Sequence, residues 1–211
     1  MNRGSCVEVA CLDLEGVLVP EIWIEFAEIT GVEALKATTR DVADYDVLMR
    51  QRLRLLDEHG LGLQEIQAAV ANMRPLDGAK DFLDWMNEHF QVVILSDTFY
   101  EFSQPLMQQL AWPTLLCHRL VVDSTGRVRD YTLRQKDPKR QCVKALRGLN
   151  FRVIAAGDSY NDTTMLEEAD AGILFRAPDH VITEFPQYPA VSSYKRLRQE
   201  FIKASGRDFP L

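Results

Sequence analysis

Apolar and polar positions follow two rhythms along this chain, and the change between them divides it. A short apolar run, Val7 to Leu12, is broken only by Glu8 and ends at Asp13-Leu14-Glu15-Gly16. That pattern predicts a buried strand running into a loop. From there to Pro75 the spacing is helical. Ile22, Trp23, Phe26 and Ile29 recur on one face and Gly31 stops them. A second helix is predicted from about Asp44 to His59. Val47, Leu48, Leu55 and Leu56 lie on its inner side, Arg50, Arg52 and Arg54 are interleaved, and Gly60 and Gly62 end it. A third runs from about Leu63 to Asn72. No strand is predicted between residues 21 and 74, which read as a helical insert.

Beyond Pro75 the pattern becomes an alternation of helix and strand. Ala79 to Phe90 is amphipathic, and Gln91 to Leu95 is a buried strand ending at Ser96-Asp97-Thr98. A helix over Pro105 to Leu110 and a strand over Thr114 to His118 follow. Leu120 to Val122, a turn at Asp123-Ser124-Thr125-Gly126, and Arg127 to Leu133 predict a hairpin. Then come a helix over Lys139 to Leu149, a strand over Arg152 to Ala156 ending at Gly157-Asp158, a helical stretch at Met165 to Glu168, and a strand at Ala171 to Phe175. The tail is punctuated by Pro178, Pro186 and Pro189 and closes with a helix near Tyr194 to Lys203. This order predicts an α/β fold with a Rossmann-like, doubly wound parallel sheet and helices on both faces. In such sheets ligands bind beyond the carboxyl ends of the strands.

Composition narrows the function classes. The chain has 211 residues, 46% of them hydrophobic, which is enough for one substantial core or a core with a small subdomain. Its net charge of −7, with no long basic run, argues against a nucleic-acid partner. Cys6, Cys11, Cys117 and Cys142 form no CxxC pair, and His59, His89, His118 and His180 show no ligand spacing. Free thiols in a reducing compartment are expected. No apolar run approaches the ~18 residues of a membrane span, and the N-terminus does not resemble a signal peptide. A cytoplasmic protein is expected, with no membrane partner and with the oligomeric state left open, a homodimer included.

Three strand ends carry polar clusters. Asp13 and Glu15 can converge on one site, one carboxylate attacking phosphorus and the other exchanging a proton with the leaving oxygen. Gly157-Asp158-Ser159-Tyr160-Asn161-Asp162 offers carboxylates to Mg²⁺, with Asp158 beside Asp13 and Asp162 orienting them. Ser96 presents a hydroxyl suited to a phosphate oxygen. The cation such a site needs is sought at Gln135-Lys136-Asp137-Pro138-Lys139-Arg140, a helix start with Asp137 as N-cap and Pro138 at the first position. Lys139 is preferred and Lys136 is the alternative. Cations there oppose the helix dipole, so they invite a functional reason.

The four pieces in this order, strand–Asp-x-Glu-Gly-Val, strand–Ser, Lys, strand–Gly-Asp-x-x-x-Asp, resemble the haloacid dehalogenase-like hydrolase superfamily. The likeness covers nearly the whole chain and is greatest to the phosphoserine phosphatase group. Cys11-Leu12-Asp13-Leu14-Glu15-Gly16-Val17-Leu18-Val19-Pro20-Glu21 and Leu95-Ser96-Asp97-Thr98-Phe99 look like the bifunctional phosphoserine phosphatase/phosphoserine:homoserine phosphotransferases. The resemblance implies a core of residues 1–18 and 76–211 and a type 1 helical cap of residues 19–75. It implies that Asp13 is the nucleophile and a Mg²⁺ ligand, and that Glu15 is the acid/base with its main-chain carbonyl on the metal. Asp158 and Asp162 complete the metal site. Ser96, Asp97, a lysine and Asn161 lie around the phosphoryl group, while Glu21 and Arg52 hold the ammonium and carboxylate of phosphoserine. Homoserine is implied as a second acceptor beside water.

Two departures stand out. Most of the superfamily has Asp where Glu15 stands, and ordinary phosphoserine phosphatases have two glycines where this chain has Asp97-Thr98. Both fit the bifunctional subgroup. The rival readings are a phosphatase for another small metabolite, a dehalogenase, and a non-catalytic binding module. The acidic pair Asp158/Asp162 argues against the dehalogenase. Retention of Asp13 and a lysine argues against the binding module.

Overall fold

The computed structural model describes residues 7–38, 41–42, 44–207 and 209; Cys6 lies outside them. Among these residues a seven-stranded sheet forms from β1 (Glu8–Leu12), β2 (Gln91–Phe99), β3 (Thr114–Val122), β4 (Val128–Thr132), β5 (Arg152–Gly157), β6 (Ala171–Phe175) and β7 (Ala190–Val191), in the order β4-β3-β2-β1-β5-β6-β7. All neighbours are parallel except β3 and β4, which form the predicted antiparallel hairpin.

The two-residue period of the central strands divides the core between the sheet's faces. Ala10, Leu12, Ile154 and Ala156 enter one apolar cluster, while Val9, Cys11, Val153 and Ala155 enter the other. Helices α4 (Ala79–His89), α5 (Tyr100–Gln109) and α9 (Tyr194–Ser205) bury their apolar stripes in the first cluster. Helices α6 (Pro138–Gly148), α7 (Thr163–Glu168) and α8 (Asp179–Glu184) bury theirs in the second. Glu8, the polar break in the first apolar run, is buried but satisfied: Arg152 donates at 2.9 Å, Ser205 at 2.6 Å, and Arg207 lies at 2.7 Å.

The insert is helical, as predicted: α1 (Ile22–Thr30), a 3₁₀ turn at Glu33–Lys36, α2 (Tyr45–Glu58) and α3 (Leu63–Asn72). Its two ends meet, for the Leu76 N–H donates to the Leu18 carbonyl at 2.9 Å. Helix α3 packs on α5, and α2 lies along β4. Arg50 pairs with Asp130 at 2.8 Å, and Arg127 with Asp57 at 2.7 Å.

Several sequence expectations need correction. Strand β2 does not stop at Leu95 but continues to Phe99, so Ser96 to Thr98 lie within it. Helix α5 (Tyr100–Gln109) contains the predicted stretch from Pro105 and extends five residues ahead of it. Proline is tolerated inside it because the carbonyl it orphans, that of Glu101, accepts from Gln67 Nε2 of α3 at 2.6 Å. The strands at Thr114 and Leu120 are one continuous β3. Helix α8 and strand β7 in the proline-punctuated tail were not foreseen. Val47 is exposed, since it lies about 100° round the helix from Leu48; Met49, Arg52 and Leu53 complete the buried face instead. Ile29 is exposed at the edge of the stripe set by Ile22, Trp23, Phe26 and Ala27. Among the described residues no helix is long and apolar enough to cross a membrane.

Candidate active site

Strand order reverses at β1. The chain passes to β2 and β3 on one side and to β5, β6 and β7 on the other, which opens a crevice at the carboxyl ends of β1, β2 and β5. A cavity of about 80 Å³ lies there. Asp13, Glu15, Ser96, Asp97, Lys139, Asp158 and Asn161 line it from the sheet side, and Glu21 and Arg52 from the insert.

Asp13 is held at the end of β1 by its own N–H, which donates to the Ala156 carbonyl at 3.0 Å. Its Oδ1 accepts from the Leu14 N–H at 2.7 Å and lies 2.9 Å from Lys139 Nζ. Lys139 also donates to Asp162 Oδ1 at 2.7 Å. Asp162 Oδ2 accepts from the main-chain N–H groups of Asp158 and Ser159 at 3.0 and 3.2 Å. Glycine makes this approach possible: a Cβ on Gly157 would sit 2.3 Å from Asp162 Cγ. Gly16, at φ +78°, would likewise place a Cβ 2.5 Å from the Asp158 carboxylate.

Asp13, Asp158 and Asp162 are all buried, and each offers an oxygen within 4.8 Å of the others'. Burial pushes the Asp13 carboxyl well above its usual range, Asp162 and Asp158 push the same way, and Lys139 opposes them. Burial would lower Lys139, but Asp13, Asp162 and Asp97 outweigh it and hold the ammonium charged. Three buried carboxyl groups converging beside one ammonium form an oxygen donor set that fits a divalent cation. Both Asp162 oxygens are engaged, by Lys139 and by the Asp158 and Ser159 amides, which suits Asp162 to orienting the group.

Glu15 reaches the opposite wall. Its Oε2 accepts from the Ile22 N–H at 2.9 Å, the first amide of α1, whose N-cap residue Glu21 makes no side-chain cap. Burial raises Glu15 to about 8, Glu21 adds to the rise, and the Ile22 amide, Arg52 and Lys139 oppose it. With Oε2 accepting, the proton of the acid form sits on Oε1.

Arg52 is buried over the Trp23 ring, 4.6 Å from its centroid. Its Nη2 donates to the Ala37 carbonyl at 2.9 Å, and its Nε has no partner among the described residues. Ser96 Oγ accepts from the Thr98 N–H at 3.2 Å, leaving its O–H to donate elsewhere. Asp97 Oδ2 accepts from Asn161 Nδ2 at 3.0 Å and lies 3.8 Å from Lys139 Nζ. Burial would raise Asp97, but Lys139, His118 and Asn161 hold it below the usual carboxylate range.

Of the two lysines weighed from sequence, the structure places only Lys139 among the carboxylates. Lys136 is exposed and lines a separate outer cleft of about 860 Å³. Asp137 does precede α6, with Pro138 first in the helix, but it makes no side-chain cap. Its backbone is left-handed, at φ +49°, and its carboxylate accepts from Thr164 Oγ1 at 2.9 Å. Sequence reasoning missed Trp23, Tyr45 and His118. Tyr45 donates to the Asp97 main-chain carbonyl at 3.0 Å, and His118 Nε2 lies 3.3 Å from Asp97 Oδ1. The strand-end rule, applied at Thr114 to His118, was the available signal for His118.

Comparison with known proteins agrees with this geometry. Residues 7–170 match the family described as haloacid dehalogenase-like hydrolase. Over 209 residues the chain is 70% identical to a phosphoserine phosphatase of Pseudomonas syringae pv. tomato, covering 99% of this chain and 88% of that one. Over 205 residues it is 69% identical to phosphoserine phosphatase ThrH of Pseudomonas aeruginosa, covering 97% and 100%. Its fold matches that of a phospho-aspartyl intermediate analogue of phosphoserine phosphatase, with a TM-score of 0.76 at 19% identity, over 93% of this chain and 99% of that one. The acidic end of β1, the acidic loop after β5 and the matching family model lead to one conclusion: the chain belongs to the haloacid dehalogenase-like hydrolases.

Proposed function

We propose that the chain is a Mg²⁺-dependent phosphoserine phosphatase working through an aspartyl-phosphate on Asp13, and that it also passes the phosphoryl group to L-homoserine. The observation that carries this reading is the buried set of Asp13, Asp158 and Asp162, with Lys139 on Asp13 and Asp162, in a cavity also lined by a guanidinium whose Nε has no partner among the described residues. The names of the two Pseudomonas relatives supply the substrate. Residues 19–75 are read as a cap over a core of residues 1–18 and 76–211. The Leu18–Leu76 hydrogen bond, where the insert's ends meet, supports those limits. Three buried free thiols, Cys11, Cys117 and Cys142, fit a reducing cytoplasm.

In this reading Arg52 takes the substrate carboxylate, its Nε gaining the acceptor it lacks, and Glu21 faces the ammonium. Lys139 and Ser96 hold phosphoryl oxygens. An Asp13 oxygen attacks phosphorus, the ester P–O bond breaks, and Glu15 gives its proton to the departing serine oxygen. Glu15, now ionised, takes a proton from water or from the homoserine hydroxyl. That oxygen attacks phosphorus and frees Asp13. Bound Mg²⁺ supplies the positive charge that lets an anionic ester approach an anionic carboxylate.

Purified protein is expected to release phosphate from O-phospho-L-serine with Mg²⁺ and to stop when the metal is chelated. Adding L-homoserine is expected to yield O-phosphohomoserine and to depress phosphate release. No turnover of phosphoserine sinks the substrate assignment; undiminished phosphate release without phosphohomoserine sinks the transfer.

The Glu15 carboxyl makes a second prediction. Its raised value means the acid form persists to about pH 8, so formation of the phospho-enzyme, which needs that proton, falls as pH rises through about 8. Glu15→Gln is expected to remove this alkaline limb and to cost about 10²-fold in rate. Quenched-flow bursts across the pH range provide the measurement, and a limb that survives in the variant removes Glu15 from the role.

A further inference from the structure

His118 lies on β3, 2% exposed, and takes no part in the chemistry above. Its ring has a fixed proton arrangement. Nδ1 accepts from the Arg134 main-chain N–H at 3.2 Å, and an amide can only donate. The ring proton therefore sits on Nε2, which donates to Asp97 Oδ1 at 3.3 Å. Tyr45 and Phe99 close against the ring, with centroids at 6.3 and 6.1 Å.

Asp97 is thus held at one oxygen by His118, at the other by Asn161 Nδ2, and at its main-chain carbonyl by Tyr45. This matters because Lys139 Nζ is close. It lies 2.7 and 2.9 Å from Asp162 and Asp13 but 3.8 Å from Asp97. A carboxylate released from its donors would rotate to pair with that ammonium, since attraction rises steeply at short range in a buried site. The same group also forms a wall: Tyr45, Asp97, Ser159 and Asn161 line both the reaction cavity and the outer cleft, which His118 lines as well.

We propose that His118 is a positioning residue for phosphoryl transfer. By holding Asp97 Oδ1, it keeps the second Asp97 oxygen on Asn161 and stops Asp97 from drawing Lys139 away from Asp13 and Asp162. The proposal rests on the phosphoryl-transfer reading of the site but not on the identity of the substrate. It is therefore tested on inorganic phosphate.

Two substitutions separate positioning from packing. His118→Phe keeps a ring against Tyr45 and Phe99 but removes the donor. His118→Gln loses the ring but places an amide N–H where Nε2 stands. With Mg²⁺ present, calorimetric titration of inorganic phosphate is expected to show affinity about tenfold weaker in His118→Phe, the scale of a lost charge-assisted hydrogen bond. His118→Gln is expected to stay within about threefold of the parent. In an Asp97→Ala background, His118→Phe is expected to cause no further loss, because the ring acts through Asp97. Parent-like phosphate affinity in His118→Phe, an equal loss in both single variants, or additive losses in the double variant overturns the proposal. Should His118→Phe fail to fold, the ranking is read from His118→Gln and His118→Ala. Gln binding no better than Ala then overturns it. If the parent binds phosphate but does not turn over phosphoserine, the substrate assignment fails while the role of His118 is still decided by the ranking.

Discussion

Asp13→Asn is expected to lower phosphoserine turnover by at least about 10⁴-fold, because the attacking oxygen becomes a poorly nucleophilic amide. The same change is expected to raise the melting temperature of the metal-free protein at neutral pH. The sign follows from the raised Asp13 carboxyl. A carboxyl whose folded value lies above its unfolded one, 3.8, favours the fold fully below the unfolded value, and that advantage is lost as pH rises through the folded value. At neutral pH folding this carboxyl carries a cost set by burial and by Asp162 and Asp158, and Asn does not carry it. The amide oxygen can still accept from Leu14 and Lys139. A gain of about 1–3 kcal/mol is expected, or several degrees. Melting in chelator at pH 7 and pH 4 provides the check: the difference between variant and parent should narrow in acid. A less stable variant at pH 7, or one that retains turnover, contradicts the account.

Lys139→Met is expected to fail in the opposite direction on stability. The ammonium is 3% exposed and shared by Asp13 and Asp162. Removing it leaves like charges buried without a partner, at about 3–5 kcal/mol. Turnover is expected to fall at least about 10³-fold through loss of the charge that meets the phosphoryl oxygens. Added Mg²⁺ should recover part of the lost stability, because a cation then meets more uncompensated charge. Lys136→Met provides the control. That side chain is exposed beside the outer cleft, and its loss is expected to leave turnover within about twofold and unfolding unchanged. Denaturant titration with and without Mg²⁺, alongside turnover, separates the two lysines. Equal losses in both variants contradict the assignment.

Much of this was legible in the sequence because it depends on short-range pattern. The short, nearly unbroken apolar runs of Val7 to Leu12 and Arg152 to Ala156 marked buried strands. Their polar ends then marked the crevice where Asp13 and Asp158 meet. What pattern could not reveal was set by contacts far apart in sequence. Nothing local shows that the helix holding Pro105 reaches back to Tyr100, because it is Gln67 of α3 that takes up the Glu101 carbonyl. His118 looked inert because its partners, Asp97 and the Arg134 amide, are 21 and 16 residues away. Lys139 was preferred from sequence, with Lys136 as the alternative. Only the turn of α6 points one of them inward.

The hydrogen bond between Leu18 and Leu76 bears on how such a molecule can diversify. A segment that leaves and rejoins its host at one point can be lengthened, shortened or exchanged without re-registering the sheet, and closing a longer excursion costs little extra entropy. In the proposed reading reaction chemistry stays with the strand ends, while Glu21 and Arg52, which line the cavity from the insert and are assigned there to the rest of the substrate, travel with the excursion. Lineages sharing this core can therefore acquire new substrates by replacing one contiguous stretch of gene, with the phosphate-handling half inherited intact.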